Sequence, residues 1–334
     1  MKKIKPSFKE INYMFRPRKQ IERKILIELF QKIQQTLNIA ISEYQYIGLG
    51  SIYYYDFLLF HKYLNIRDMI SLDKEDSPER FELNKPFGFI KFKNITTTEF
   101  LAKNELNKKS FIWFDYDSSL IHYKYKSFFI TESIINDIRL IANKSKKLDL
   151  FILTVNININ ESLFDSQRVR RAFIHEYDEY LSDKYKEDNK ISFKEYPLII
   201  QNIIINIFRN NEQFQPVKFR KLFSFIYKDG ATMYTIGGIF SEDNNFQDEL
   251  DKDIIFLNTE ENGIIDIDVP LLTYYEKMIL DKKIDVIEKN LDSLNEEKII
   301  EMLGFEIDPS ELKSYLNYYR YYPQYYEGII WAGY

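Results

Sequence analysis

The stretch from Tyr44 to Ser51 constrains the fold of this chain more than any other. Tyr44-Gln-Tyr-Ile47 reads as a short strand and runs straight into Gly48-Leu-Gly50-Ser51, and residues 52–64 read as a helix. Strand, glycine loop and helix in that order open a parallel α/β sheet. Glycines there let the backbone approach a ligand closely, and the helix start offers unpaired N–H groups. A second strand, 69–72, ends at Asp73, 23 residues after Gly50. An acid at that place can accept hydrogen bonds from both hydroxyls of a ribose. It can equally cap the helix that follows.

The alternation continues. A first helix is expected after Pro17, with Ile21, Ile25, Leu29, Ile33 and Leu37 forming one apolar stripe. Proline suits the first helical position, where its missing N–H costs nothing. Further helices are expected at 75–83, 131–142 (with Thr131 as cap), near 165–182 and at 195–209, and further strands at 89–92, 111–114 and 150–155. Strands alternating with helices imply right-handed crossovers and a parallel sheet. Two strand-like runs, 221–227 and 232–236, then flank Lys228-Asp229-Gly230-Ala231, a strong hairpin signal. The expected fold class is therefore α/β, a Rossmann-like methyltransferase fold whose mostly parallel sheet ends in an antiparallel hairpin.

The remainder looks different. The polar, acidic stretch 241–263 is the best boundary, separating a main domain at 1–240 from a mainly helical appendage at 241–334. Residues 264–269 can add one strand. Thr273-x-x-Glu276, Ser293-x-x-Glu296 and Asp308-Pro-Ser-Glu311 each read as a helix start with a reciprocal cap. A tyrosine-dense segment, Tyr315 to Tyr326, lies near the end.

Composition removes several chemistries. The 334 residues contain no cysteine, which excludes disulfides, thiolate nucleophiles and Cys-based zinc sites. The three histidines, His61, His122 and His175, form no close ligand motif, and no metal site is assigned. A net charge of −5 is not that of a polycation seeking nucleic acid. No apolar run approaches the roughly 18–20 residues that span a bilayer, so no membrane association and a cytoplasmic location are expected.

The candidate ligand is a nucleoside cofactor. A dinucleotide pattern needs a third glycine, and Tyr53 stands at that position. S-adenosylmethionine has no pyrophosphate and needs less of that loop. The missing glycine and the terminal hairpin both favour it, held by Gly48, Gly50, Ser51, Asp73 and Asp115. The strand at 111–114 delivers Phe114-Asp115-Tyr116-Asp117 to the crevice beyond the strand ends. Asp115 and Asp117 are the candidate catalytic carboxylates, as general base or to orient the cofactor amine. They can also cap the loop, or join Asn156 around Mg²⁺. The Asp/Asn-Pro-Pro-aromatic signature of many amino-methyltransferases is missing here, which argues against adenine-N6 and glutamine acceptors.

Several strings together, Arg16-Pro-Arg-Lys-Gln-Ile-Glu-Arg23, Tyr46 through Phe57, Phe60-His61, Asp68-Met-Ile-Ser-Leu-Asp73, Asn84-Lys-Pro-Phe-Gly88 and Trp113-Phe-Asp-Tyr-Asp117, resemble a bacterial group described as putative O-methyltransferases. The similarity covers roughly residues 13–240. It implies cofactor binding more firmly than any particular acceptor, which is O- or N-directed on this reading. It draws attention to Arg16, Lys19 and Arg23, on one side of the first helix. They can reach a phosphate-bearing acceptor or the cofactor's carboxylate, or simply form a solvated basic face. His61 reads as a packed helix residue before it reads as a base. A role in bacterial conflict with phage goes with the company such families keep.

Rival functions remain in view. A methyltransferase-like domain can serve as a ligand sensor or assembly subunit, with a protein partner or a second copy. That reading requires side chains such as Tyr53 or Tyr54 to fill the acceptor space. Nucleic acid is a further candidate partner, through Lys2, Lys3, Lys5, Lys9, Arg16, Arg18 and Lys19 and through tyrosines stacking on unpaired bases. A metal-dependent nuclease built on Asp73, Asp115 and Asp117 is the third.

Overall fold

The computed structural model describes residues 16–74, 78–242, 256–260, 263–291 and 295–323. Helix α1 spans Pro17–Thr36, with proline in its first turn. There follow β1 (Gln45–Leu49), α2 (Tyr55–Leu64), β2 (Asp68–Leu72), α3 (Pro78–Leu83), β3 (Ile90–Lys93), α4 (Thr97–Lys103) and β4 (Ser110–Ser119). A small hairpin, β5 (Ile121–Lys124) and β6 (Ser127–Ile130), precedes α5 (Glu132–Lys144), β7 (Leu150–Asn156), α6 (Gln167–Tyr177) and α7 (Tyr196–Asn211). The long hairpin is β8 (Lys218–Asp229) and β9 (Ala231–Ser241). Beyond it lie β10 (Ile265–Asp266), α8 (Tyr274–Lys282), α9 (Ile284–Asn290), α10 (Glu296–Leu303) and α11 (Pro309–Tyr318).

The main sheet has eight strands in the order β10-β8-β9-β7-β4-β1-β2-β3. Every neighbouring pair is parallel except β7 with β9 and β8 with β9, so β9 alone runs against the rest. That is the expected Rossmann-like methyltransferase arrangement. The chain reverses into β9 at Gly230, whose φ of +96° a side chain would resist.

Alternation along the central strands sends side chains to two cores. Phe111 and Trp113 of β4 point to one, and Ile112 and Phe114 to the other. The first core takes α1, α2 and the helices after β10; the second takes α4, α5, α6 and α7. By the same alternation Asp115, two residues past Trp113, faces the α1 side.

The segment after β9 joins this architecture at two places. β10 pairs with β8, and Leu280, Ile287, Leu303, Leu312 and Tyr315 share a core with Ile21 and Ile25 of α1. Most of 241–263 lies outside the described residues. Four tyrosines of α11 and the turn after it, Tyr315, Tyr318, Tyr321 and Tyr322, are buried with their hydroxyls turned inward. Tyr315 donates to Asp281, Tyr318 to the Asp266 carbonyl at 2.9 Å, Tyr321 to Glu28 at 2.8 Å and Tyr322 to the Pro270 carbonyl at 3.1 Å. Those four rings are packing residues, not an open stacking platform; Tyr325 and Tyr326 lie outside the described residues.

Local details depart from the sequence expectation. Thr131 precedes α5 but gives it no side-chain cap, because its hydroxyl donates to the Ser119 carbonyl at 2.6 Å. The cap of α10 is Asn295, not Ser293, which lies outside the described residues. Thr273 and Glu276 do form the reciprocal cap of α8. Asp308 caps α11 through the N–H of Ser310. Helix α4, capped reciprocally by Thr96 and Glu99, and the β5–β6 hairpin were not expected at all. No described helix is long and apolar enough to cross a membrane.

Candidate functional site

The C-terminal ends of β1, β2 and β4 open into one crevice with the start of α2. Leu49, Gly50, Ser51, Tyr54, Tyr55, Asp56, Phe57, Asp73, Asp115, Tyr116 and Asp117 line it, around a cavity of about 140 Å³ that opens to solvent.

The glycine loop builds one wall. Gly50 donates its N–H to the Leu72 carbonyl at 3.3 Å and lies so close to β2 that an added Cβ would sit 2.0 Å from Ser71 Oγ. Ser51 accepts from the Tyr53 N–H at 3.2 Å, and Tyr54 takes a left-handed conformation (φ 49°) before α2 begins. A bulky residue in that region is uncommon and is held here by its surroundings. The Tyr54 ring is fully buried and its hydroxyl donates to the Phe81 carbonyl at 3.1 Å. Tyr54 therefore borders the crevice without filling it. Tyr53 is 40% exposed and is not among the lining residues.

Gly48 has another job. It lies inside β1, outside the lining, and a Cβ there would meet the Tyr46 hydroxyl at 2.4 Å. Its missing side chain makes room for the Tyr46 ring rather than for a ligand.

The carboxylates divide by environment. Asp73 is half-buried just beyond β2, and Asp117 is exposed on the far part of β4. Asp115 is gripped by α1: Lys19 Nζ lies 2.7 Å and Arg23 Nη2 3.0 Å from the same oxygen, Oδ2. Those two cations hold its carboxyl below the ordinary range despite burial. Its other oxygen, Oδ1, is buried with no hydrogen-bond partner. An ionised carboxylate held down in this way is a poor proton acceptor at neutral pH.

Arg23 is the hub behind this wall. It is 1% exposed and its guanidinium lies 4.7 Å over the Trp113 ring. Nε and Nη2 grip both oxygens of Asp56; Nη2 also reaches Asp115. Nη1 donates to Glu22 at 3.2 Å and to the Lys19 carbonyl at 3.3 Å. Glu22, fully buried, accepts from Thr235, and Thr235 bonds Thr154, which accepts from Trp113 Nε1. Burial pushes the Glu22 carboxyl up to about 7.

At the basic start of α1 the solvated-face alternative fails. Lys19 and Arg23 are no solvated face, being 3% and 1% exposed. Nor is Arg23 placed to bind phosphate, because its donors already serve carboxylates and a carbonyl of its own chain. Arg16 is half-buried and outside the crevice lining. Arg18 is tied to Asp268 at 2.9 Å and to the carbonyls of Lys228 and Val269.

The other candidates lie elsewhere. His61 packs against Phe87 and Phe89 with Nδ1 3.0 Å from the Ile66 carbonyl. His122 Nε2 lies 3.1 Å from Thr131 Oγ1, and His175 lines a separate surface hollow with Arg171, Asp178 and Lys186. Asn156 accepts from the Asn158 N–H at 2.8 Å. Among the described residues no group of three or more His, Asp or Glu side chains is arranged to hold a metal ion.

The family profile described as "Putative O-methyltransferase" matches residues 11–330, nearly the whole chain. The chain belongs to this family. Its match runs through β10 and the helices after it as well as the sheet. No curated protein matches the sequence. Among solved structures, the family member is similar to Trm1 from Pyrococcus horikoshii in complex with S-adenosyl-L-methionine (14% identity, 90% of this chain and 82% of that one, TM-score 0.45). It is also similar to M. capricolum TrmK in complex with S-adenosyl-homocysteine (10% identity, 85% and 96%, TM-score 0.31).

Proposed function

We propose that this O-methyltransferase family member binds S-adenosylmethionine in the crevice and transfers its methyl group to an oxygen or nitrogen acceptor. The observation that carries the reading is that the ends of three adjacent parallel strands bring Gly50, Ser51, Asp73 and Asp115 to one open cavity. In open α/β sheets ligands bind beyond the carboxyl ends of the strands.

The residues present fit that cofactor. Gly50 lines the cavity, and its missing side chain lets the loop pack closely on Ser71 of β2. Asp73 offers acceptors for a ribose diol, and Leu49 and Phe57 offer apolar surface. The buried carboxylate of Asp115, with one oxygen unpartnered, supplies fixed negative charge to the same cavity. When bound, the cofactor supplies an electrophilic methyl group. The protein's part is to orient the acceptor and help remove its proton. Asp117, exposed on the crevice wall, is better placed to take that proton than Asp115, whose charge two cations stabilise. Binding calorimetry with S-adenosylmethionine and S-adenosylhomocysteine tests the reading: saturable binding of both supports it, and no binding of either removes it.

A further inference from the structure

The crevice has two carboxylate-bearing walls. Asp56 comes from the first turn of α2, and Asp115 from β4. Arg23 joins them from behind, on a helix that precedes the first strand of the sheet. We propose that Arg23 is a positioning residue for ligand binding, fixing Asp56 and Asp115 in the arrangement that shapes the crevice.

Three observations support this. Arg23 is not itself a lining residue, whereas both of its long-range carboxylate partners are. Its planar fork meets Asp56 with two nitrogens and Asp115 with one, so the spacing of the two carboxylates is set by one rigid group. The guanidinium is itself immobilised, by the Trp113 ring on one face and by Glu22 and the Lys19 carbonyl at Nη1. Lysine carries the same charge but presents a single nitrogen, and cannot span both walls in this way.

The inference rests on the cofactor reading above, and its test separates the two. Calorimetric binding of S-adenosylhomocysteine and thermal melting are measured together on the wild type, Arg23→Lys, Arg23→Gln and the pair Arg23→Gln/Asp56→Asn. Arg23→Lys is expected to melt cooperatively and to raise Kd by at least about tenfold. Arg23→Gln leaves the half-buried Asp56 without its counter-charge and melts early. Removing the Asp56 charge as well is expected to recover much of the melting temperature while binding more weakly than Asp56→Asn alone, measured beside it as the control for that lining residue. A purely structural role predicts the opposite, with the affinity of Asp56→Asn returning alongside stability. Wild-type Kd in Arg23→Lys, or the Kd of Asp56→Asn in the pair, overturns the proposal. If Arg23→Lys does not fold, the pair decides alone, and if neither folds the positioning role is rejected in favour of a structural one. A wild type that does not bind the ligand removes the cofactor reading and this inference with it. A wild type that binds, beside Arg23 variants that bind equally well, removes this inference only.

Discussion

Thr235 of β9 donates its hydroxyl to Glu22 of α1, 213 residues away in sequence, and so closes a buried chain of polar groups behind the crevice. Glu22 is fully buried, and desolvation raises its carboxyl to about 7 although Arg23, Thr235 and Lys19 pull the other way. The folded protein therefore holds a proton there that the unfolded chain releases near its ordinary value of 4.5. Between those two values the folded state binds more protons, so this group's contribution to stability falls as pH rises. Glu22→Gln, which keeps an acceptor for Thr235 but cannot ionise, should gain on the wild type by on the order of 2 kcal/mol between pH 5 and pH 8. Urea denaturation at the two pH values checks this, and a constant difference between the proteins would refute it.

In the pair Lys19–Asp115 the lysine is buried and the carboxylate is 12% exposed. Asp115→Asn removes the charge that both Lys19 and Arg23 contact, and removing one partner of a buried pair typically costs about 3–5 kcal/mol. Because the Asp115 carboxyl is held low in the folded state, its stabilisation is complete above the ordinary carboxylate range. It fades only as pH falls through the lowered value. The loss measured for Asp115→Asn should accordingly be largest near neutral pH and shrink in strong acid.

The two glycines of the loop should separate cleanly. Gly48→Ala pushes a methyl into the Tyr46 hydroxyl, inside β1, and should destabilise by about 1–3 kcal/mol while leaving ligand affinity unchanged. Gly50→Ala collides with Ser71 at the crevice wall and should weaken ligand binding as well. Melting and calorimetry on both variants decide it. Lost affinity in Gly48→Ala at full occupancy of the folded state would return that residue to the binding site.

The C-terminal tyrosines should behave as structural groups. Tyr321→Phe removes the hydroxyl that reaches Glu28 and should lower stability by about 1 kcal/mol. Affinity for single-stranded nucleic acid, where measurable by fluorescence anisotropy, should not change.

The sheet was legible because it rests on repetition. Alternating strands and helices define the parallel part, and Asp229-Gly230 marks the hairpin with the residue its turn demands. The β5–β6 hairpin escaped for the converse reason. Its turn puts Tyr125 and Lys126 at φ values of 52° and 64°, a conformation usually announced by Asn or Gly. Helix α4 carried a readable signal, Thr96-x-x-Glu99, that hydrophobic periodicity did not bring forward. The crevice itself followed from Gly50, Ser51 and Asp73, because motif spacing along β1 and β2 fixes their positions. Its rear wall did not. Glu22 and Arg23 sit beside an apolar stripe, and charged residues there ordinarily face water. Nothing local shows that Asp115, Asp56 and Thr235 converge to pair them, since those contacts are set by the sheet order.

Asp73, just past β2, lines the crevice and is proposed to hold a ribose there. Isothermal titration of S-adenosylhomocysteine into the wild type and Asp73→Ala tests it most directly. Saturable wild-type binding is expected, with at least a tenfold weaker Kd in the variant, about 1.4 kcal/mol. Equal affinity in two folded proteins would contradict it.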